Sequence, residues 1–273
     1  MFLCIETGLA SAASQPQPPQ PSGEVVLFLG DAMARPNRSV TIHADLVRVG
    51  AVAKGIGGEQ VRLLVDGTEV ATTVTDEQGH ATFRYEPRRL GLHQLTATGG
   101  PASTHTISDG RATLAVWEKR KPLLLVEDAV LSNTMDGRQP SEPNAGAVED
   151  LSRLSHFFYN LVYLVTETQA GSPLSRGAAV EWMRRLLSEH RFPPGIVLSV
   201  PPTDVGIADA ISRLKDDGWE NLRAGVGRSQ AFAQALVGQR LRTVIHTPVP
   251  GAEYPRKARL VTDWTAVRKE LQD

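Results

Sequence analysis

The chain has a single cysteine, Cys4, among 273 residues, so no disulfide can close within it, and cysteine usage neither requires nor excludes export. It has no excess of either charge. Lys and Arg number 29 against 30 Asp and Glu, a formal net charge of −1. That balance argues against nucleic-acid binding or membrane-surface binding by bulk charge. No apolar run reaches the roughly 18 residues that cross a bilayer, so no transmembrane segment is expected. The opening MFLCIETGLASAASQ lacks the Lys or Arg of a signal-peptide n-region, and Glu6 interrupts its apolar part. Cytoplasmic residence is the expectation, with secretion left open. There is no G-x-S-x-G elbow for a serine nucleophile. The seven histidines show no metal-ligand spacing, and His156 reads as a helix-face residue.

What is there is ordinary globular composition, 41% hydrophobic and 22% charged, in a chain long enough for two domains. Residues 10–23, ASAASQPQPPQPSG, cannot bury enough apolar surface to fold, and residues 1–22 are expected to be disordered. From about Glu24 to Trp117 apolar residues alternate with polar ones in short runs such as VTIHADLV, QVRLLVDG and HATFRYEP. Turn signals separate them: Asp66-Gly67, Glu77-Gln78-Gly79 and Leu90-Gly91. Short, regularly spaced strands of period two predict an antiparallel sandwich over 23–118. EKRKP, residues 118–122, then closes that rhythm. Beyond it the apolar runs LLLV (123–126), LVYLV (161–165), GIVLSV (195–200) and LRTVI (241–245) alternate with helical patterns at 147–158, 178–190, 208–217 and 229–237. Strands alternating with amphipathic helices predict a Rossmann-like parallel α/β sheet over 119–273.

The stretch VRLLVDGTEVATTVTDEQGHATFRYEPRRLGLHQLTATGG resembles bacterial immunoglobulin-like modules, with a DG hairpin followed by a TDEQGHATF turn. The second region resembles the haloacid-dehalogenase-like (HAD) phosphatases, and within them the actin-patch-type phosphatidate phosphatases. KPLLLVEDAVL (121–131) sits where that family has lysine, an apolar strand and Asp-x-Asp-x-Thr. FFYNLVYLVTET (157–168) matches the second strand, and HRFPPGIVLSV (190–200) matches a rigid FPPG joint into the third. The resemblance covers about residues 121–268. It implies an aspartate nucleophile forming a phosphoaspartyl intermediate, and a second aspartate two residues on as acid/base. It further implies a Ser/Thr and a lysine around the phosphate, and Mg²⁺ held partly by a late acid.

Carried over residue by residue, the resemblance leaves most of that set unfilled. Val126 falls on the nucleophile, Asp128 on the acid/base, Val130 on the threonine and Thr166 on the phosphate-binding position. The lysine would fall near Ile207 or Ala208, and the metal aspartate falls on Val226. No Asp or Glu occurs between Asn221 and Pro250. A register shifted by two makes Asp128 the nucleophile and Ser132 the threonine, but still lacks lysine and metal acids. Groups that act as a unit lose nearly all activity when a central member goes. The expectation is therefore a pseudophosphatase that binds or scaffolds, with no cofactor. A Mg²⁺-dependent phosphatase acting on phosphatidate or another phosphomonoester is the second reading, and an adhesive immunoglobulin-like protein the third.

Candidate site residues follow. Asp128 is a remnant acid/base or a turn cap. Thr166 is a phosphate ligand or a loop cap. Gly225, Gly227 and Arg228 form GVGRS, a glycine turn before a helix that could cradle a phosphate through backbone N–H groups. Glu127, Glu167 and Asp204 lie near strand ends, where with Asp128 they could build a replacement metal site, or simply be solvated. No metal site is assigned. The partner is an unidentified protein or a phosphorylated ligand, without nucleic acid. Lys119-Arg120-Lys121 reads as a solvated linker more readily than as a lipid-contact patch.

Overall fold

The computed structural model describes residues 23–50, 52–132, 142–167 and 173–272. The Pro/Gln tail at 1–22 lies outside the described residues. Ten strands come first: β1 (Val25–Leu29), β2 (Ala32–Ala34), β3 (Val40–Arg48), β4 (Lys54–Gly55), β5 (Gln60–Val65), β6 (Thr68–Val74), β7 (His80–Tyr85), β8 (Gly91–Gly99), β9 (Ile107–Ser108) and β10 (Gly110–Val116). They form two sheets. One has the order β4-β3-β1-β9, with β7 also pairing β3; the other runs β2-β10-β8-β5-β6. Between them lies one core, including Leu27, Ile42, Leu46, Leu63, Phe83, Leu95 and Leu114. The alternation seen in sequence is the cause: β5 and β7 bury every second side chain, and the other face meets solvent.

The expected hairpin is present. β5 and β6 pair antiparallel across Asp66 (φ 49°) and Gly67 (φ 80°). Two successive positive φ values fit a type I′ turn, whose twist matches the strands. The Asp66 carboxylate accepts from Gln94 N–H at 2.9 Å and contacts His93 Nδ1 at 2.7 Å. The His93 hydrogen bond, first among the causes, holds its carboxyl below the usual range.

The rest of the chain alternates strand and helix: β11 (Leu123–Glu127), α1 (Ala147–Phe157), β12 (Asn160–Thr166), α2 (Pro173–Glu189), β13 (Ile196–Val200), α3 (Asp204–Asp216), β14 (Leu222–Gly227), α4 (Gln230–Gly238), β15 (Arg242–His246), β16 (Arg259–Val261) and α5 (Trp264–Gln272); the four expected strands and four expected helices are present, and β14, β16 and α5 are additions to them. All six strands are parallel, in the order β13-β12-β11-β14-β15-β16. Successive strands thus run outward from β11 to one edge, then return to its other side. That makes the gap between β11 and β14 the topological switch point, where ligands bind in open α/β sheets. Apolar side chains of β11 point alternately into two cores, Leu124 and Val126 into one, Leu123 and Leu125 into the other.

The FPPG joint has a local role. Arg191 (φ 57°) follows α2 by two residues, and Phe192 N–H returns to the Leu187 carbonyl at 2.9 Å. Tyr163 on β12 donates its hydroxyl to the Pro193 carbonyl at 2.6 Å, fixing the entry to β13. A Cβ on Gly195 would lie 2.6 Å from the Leu161 carbonyl oxygen, so the close pass over β12 requires glycine.

Candidate functional site

At the carboxyl ends of β11 and β12, two carboxylates point apart. Asp128, 1% exposed, opens a short 3-10 turn after β11. Its Oδ2 accepts from Thr166 N–H at 3.1 Å and from the Thr166 hydroxyl at 3.3 Å. The fold thus brings together Asp128 and Thr166, 38 residues apart. Burial, above all, pushes the Asp128 carboxyl up to about 6, and the neighbouring Glu127 charge adds to the rise, while the Thr166 contacts oppose it.

Glu127, 2% exposed, turns the other way, across the switch point. Its Oε2 accepts from the N–H groups of Arg228 at 2.5 Å and Ser229 at 2.9 Å, and its Oε1 accepts from the Ser229 hydroxyl. Ser229 Oγ in turn caps α4, accepting from Phe232 N–H at 3.0 Å. The first turn of a helix offers free N–H groups and a positive dipole end, the usual receptor for an anion. Here the chain's own carboxylate fills it.

Of the GVGRS residues, Gly225 and Gly227 lie within β14 rather than in a loop. A Cβ on Gly225 would meet Leu236 Cδ2 at 2.3 Å, and one on Gly227 would meet Phe232 Cδ1 at 2.3 Å. Both glycines admit α4 close to the sheet. Arg228 gives its N–H to Glu127 and receives the Tyr254 hydroxyl on its carbonyl at 2.8 Å. Its Nε is buried without a hydrogen-bond partner among the described residues. His246, at the end of β15, packs its ring 5.3 Å from Trp264, and burial, then Arg228, lowers its pKa.

The four strand-end acids do not converge. Glu167 accepts from the Ser199 hydroxyl at 2.9 Å and pairs with Arg176 at 3.5 Å. Asp204 is exposed in the first turn of α3, accepting from Val205 N–H. A Mg²⁺ ion of the kind the HAD resemblance implies needs accessible carboxylate oxygens in near-octahedral array. Val126 and Val226 stand fully buried at the positions that would supply two of them. Both oxygens of Glu127 already accept hydrogen bonds. These residues do not fit such an ion. Ile207, near the place of the family's lysine, is a core residue of α3.

Sequence reasoning singled out Asp128 and Thr166 but missed the partnership of Glu127 with Ser229. The only signal was an acid directly after an apolar strand and a serine before a helix.

The class so defined is a β-sandwich joined to a parallel α/β sheet with an internally capped switch point. No protein-family model matches the chain, and neither does any curated protein. Among solved structures, a D,D-heptose 1,7-bisphosphate phosphatase from Burkholderia thailandensis is similar over 56% of this chain and 99% of its own, at 17% identity and a TM-score of 0.40. The CARDB domain of PF1109 from Pyrococcus furiosus is similar over 34% of this chain and 92% of its own, at 18% identity and a TM-score of 0.26. The fibronectin(III)-like modules of Clostridium thermocellum CbhA are similar over 35% of this chain and 95% of theirs, at 13% identity and a TM-score of 0.23.

Proposed function

We propose that the chain is a non-catalytic, HAD-like binding or scaffolding protein, with an immunoglobulin-like domain at 23–118 and an α/β domain at 119–273. One observation carries the reading. The anion receptor at the switch point, the N-terminus of α4, is closed by Glu127, whose carboxylate takes two backbone N–H groups and the Ser229 hydroxyl. An incoming phosphate would have to displace a buried carboxylate and then sit beside a second one, Asp128. Like charges at that distance repel strongly in a site with little water. Beside it, Val126 offers hydrocarbon where the HAD phosphatases carry their nucleophile.

A second reading rests on Asp128. A buried carboxyl pushed up to about 6 lies near the range useful for proton transfer. A phosphatase that uses it would act on a phosphomonoester such as phosphatidate. The test is phosphate release from phosphatidate and from an aryl phosphate, with and without Mg²⁺, for the native chain and for Asp128→Asn. The proposal expects no release above the buffer blank in any arm. Metal-dependent turnover that disappears in Asp128→Asn would replace the proposal with the second reading.

A further inference from the structure

The opposite end of the parallel sheet carries a different surface. Lys119-Arg120-Lys121 looks in sequence like a basic triplet, but its outer members are engaged. Lys119 Nζ pairs with Glu220 at 2.6 Å, and Lys121 Nζ donates to the carbonyls of Ser155 and His156 at the end of α1. Arg120 stays out, its side chain 93% exposed, sharing only a 3.7 Å contact with Glu118. The register then supplies what the triplet lacks. Leu222 pairs with Leu123 and Ala224 with Arg242, so Arg223 and Arg242, both exposed, open adjacent strands beside Arg120. Arg242 gives Nη1 to the Glu270 carbonyl at 2.8 Å. The Arg223 side chain has no hydrogen bond or ion pair among the described residues.

These arginines line an open depression of about 660 Å³ together with Phe157 and Phe158. Among the described residues, no Asp or Glu lines it. The two rings follow each other at the end of α1, 69% and 38% exposed, with centroids 6.2 Å apart. Adjacent exposed aromatics beside exposed guanidiniums, one of them (Arg223) without a side-chain partner among the described residues, differ from the scattered apolar residues of any surface.

We propose that this face, at the amino ends of β11, β14 and β15, docks on an anionic lipid bilayer. Charge complementarity and the aromatic pair together select that occupant. A small soluble anion would use the guanidiniums, a weak attraction at an exposed site, and leave both rings in water. An acidic peptide would use the arginines and leave both rings in water. A bilayer surface answers both, with headgroup phosphates for the guanidiniums and the acyl boundary for the rings. The buried acids Glu127 and Asp128 lie at the far end of β11. The inference does not depend on whether the switch point is catalytic.

The test is co-sedimentation of the full chain with phosphatidylcholine vesicles, with and without phosphatidylglycerol, at two salt concentrations. Binding is expected only with phosphatidylglycerol, and weaker at high salt. The double variant Arg120→Glu/Arg223→Glu should lose at least tenfold in partition, given about fivefold per cation at such a surface. Phe157→Ser should lose on the order of tenfold through the ring alone. Both changes are at exposed positions, and circular dichroism checks that each variant is folded. Failure to bind anionic vesicles overturns the proposal, as does binding that neither variant weakens. Arg223-dependent binding of soluble polyglutamate without vesicle binding would overturn it in favour of an acidic protein partner.

Discussion

Asp128 keeps a carboxyl 1% exposed beside a second buried carboxylate, and the fold bears the consequence above neutral pH. Its folded pKa is raised from 3.8 to about 6, so between those values the folded state binds more protons than the unfolded chain. Unfolding free energy therefore falls as pH rises through that window and levels off above it. The size is on the order of 3 kcal/mol, since each tenfold change in proton affinity is worth about 1.4 kcal/mol. Asp128→Asn removes the charge and keeps an oxygen for the Thr166 N–H. It should be more stable than the native chain by up to that amount near pH 8, about equal to it near pH 3, as read by urea denaturation at both values. An equal difference at both pH values would show that the Asp128 charge does not set the penalty. Asp128 and Thr166 were each legible in the sequence because Thr166 directly follows an apolar run and Asp128 lies one residue past Glu127 at the end of another; their contact comes from the parallel pairing of β11 and β12, which brings those strand ends together.

At the scale of elements, β14 was the least legible. LRAGVG carries two glycines and an arginine in six residues, which read as a turn. It is a central strand because α4 lies so close that only glycine fits beneath Phe232 and Leu236. A tertiary contact overrides the local preference there, and no window around the strand contains it. Gly227→Ala should cost about 1–3 kcal/mol by overpacking against Phe232, measured as a lowered thermal midpoint. An unchanged midpoint would mean that α4 shifts outward without loss. The Glu127 cap of α4 was hidden for the same reason, since Glu127 and Ser229 are 102 residues apart. Glu127→Ala leaves the N–H groups of Arg228 and Ser229 and a hydroxyl without their buried acceptor. A loss on the order of 3 kcal/mol is expected, with amide exchange at Arg228 and Ser229 accelerating first. If stability held, water would have to be serving the helix terminus in its place. By contrast, helices α1 and α3 were readable to within a few residues, because their apolar positions recur at helical spacing and each helix turns them to the sheet, α1 on one face and α3 on the other.

At the scale of the whole molecule, one side chain joins all three sheets' neighbourhoods. Asp31 lies between β1 and β2, where the chain crosses from one sandwich sheet to the other, and its side chain is 1% exposed. Oδ1 accepts from Thr113 N–H of β10 at 2.8 Å and from Arg184 of α2; Oδ2 accepts from Val197 N–H of β13 at 2.7 Å. β13 is an edge strand of the parallel sheet, so Asp31 also removes a free N–H from that edge. Arg184 reaches on to the Arg111 carbonyl at 2.7 Å, and nearby Trp117 and Trp219 meet edge to face at 6.5 Å. Nothing in FLGDAMA announces this role. An aspartate after glycine reads as a turn residue, and its partners lie 82, 153 and 166 residues away. Asp31→Ala would leave two N–H groups without their acceptor and take from Arg184, 23% exposed, one of its two carboxylate partners, the other being Glu181. Each buried donor left unsatisfied costs about 1–3 kcal/mol. The loss should fall on the junction more than on either core, because the Asp31 carboxylate bonds β10 of the sandwich to α2 and β13 of the parallel sheet. Amide exchange at Thr113 and Val197 should therefore rise together in Asp31→Ala. Denaturant unfolding should separate into two steps, sandwich and parallel sheet, where the native chain is expected to unfold with the two coupled. Asp31→Asn keeps an acceptor for one or both N–H groups but loses the charge facing Arg184, and should fall between the two. A single unfolding step in Asp31→Ala, with exchange rising at only one of the two amides, would show that the tryptophan pair and the Lys119–Glu220 bridge hold the junction without it.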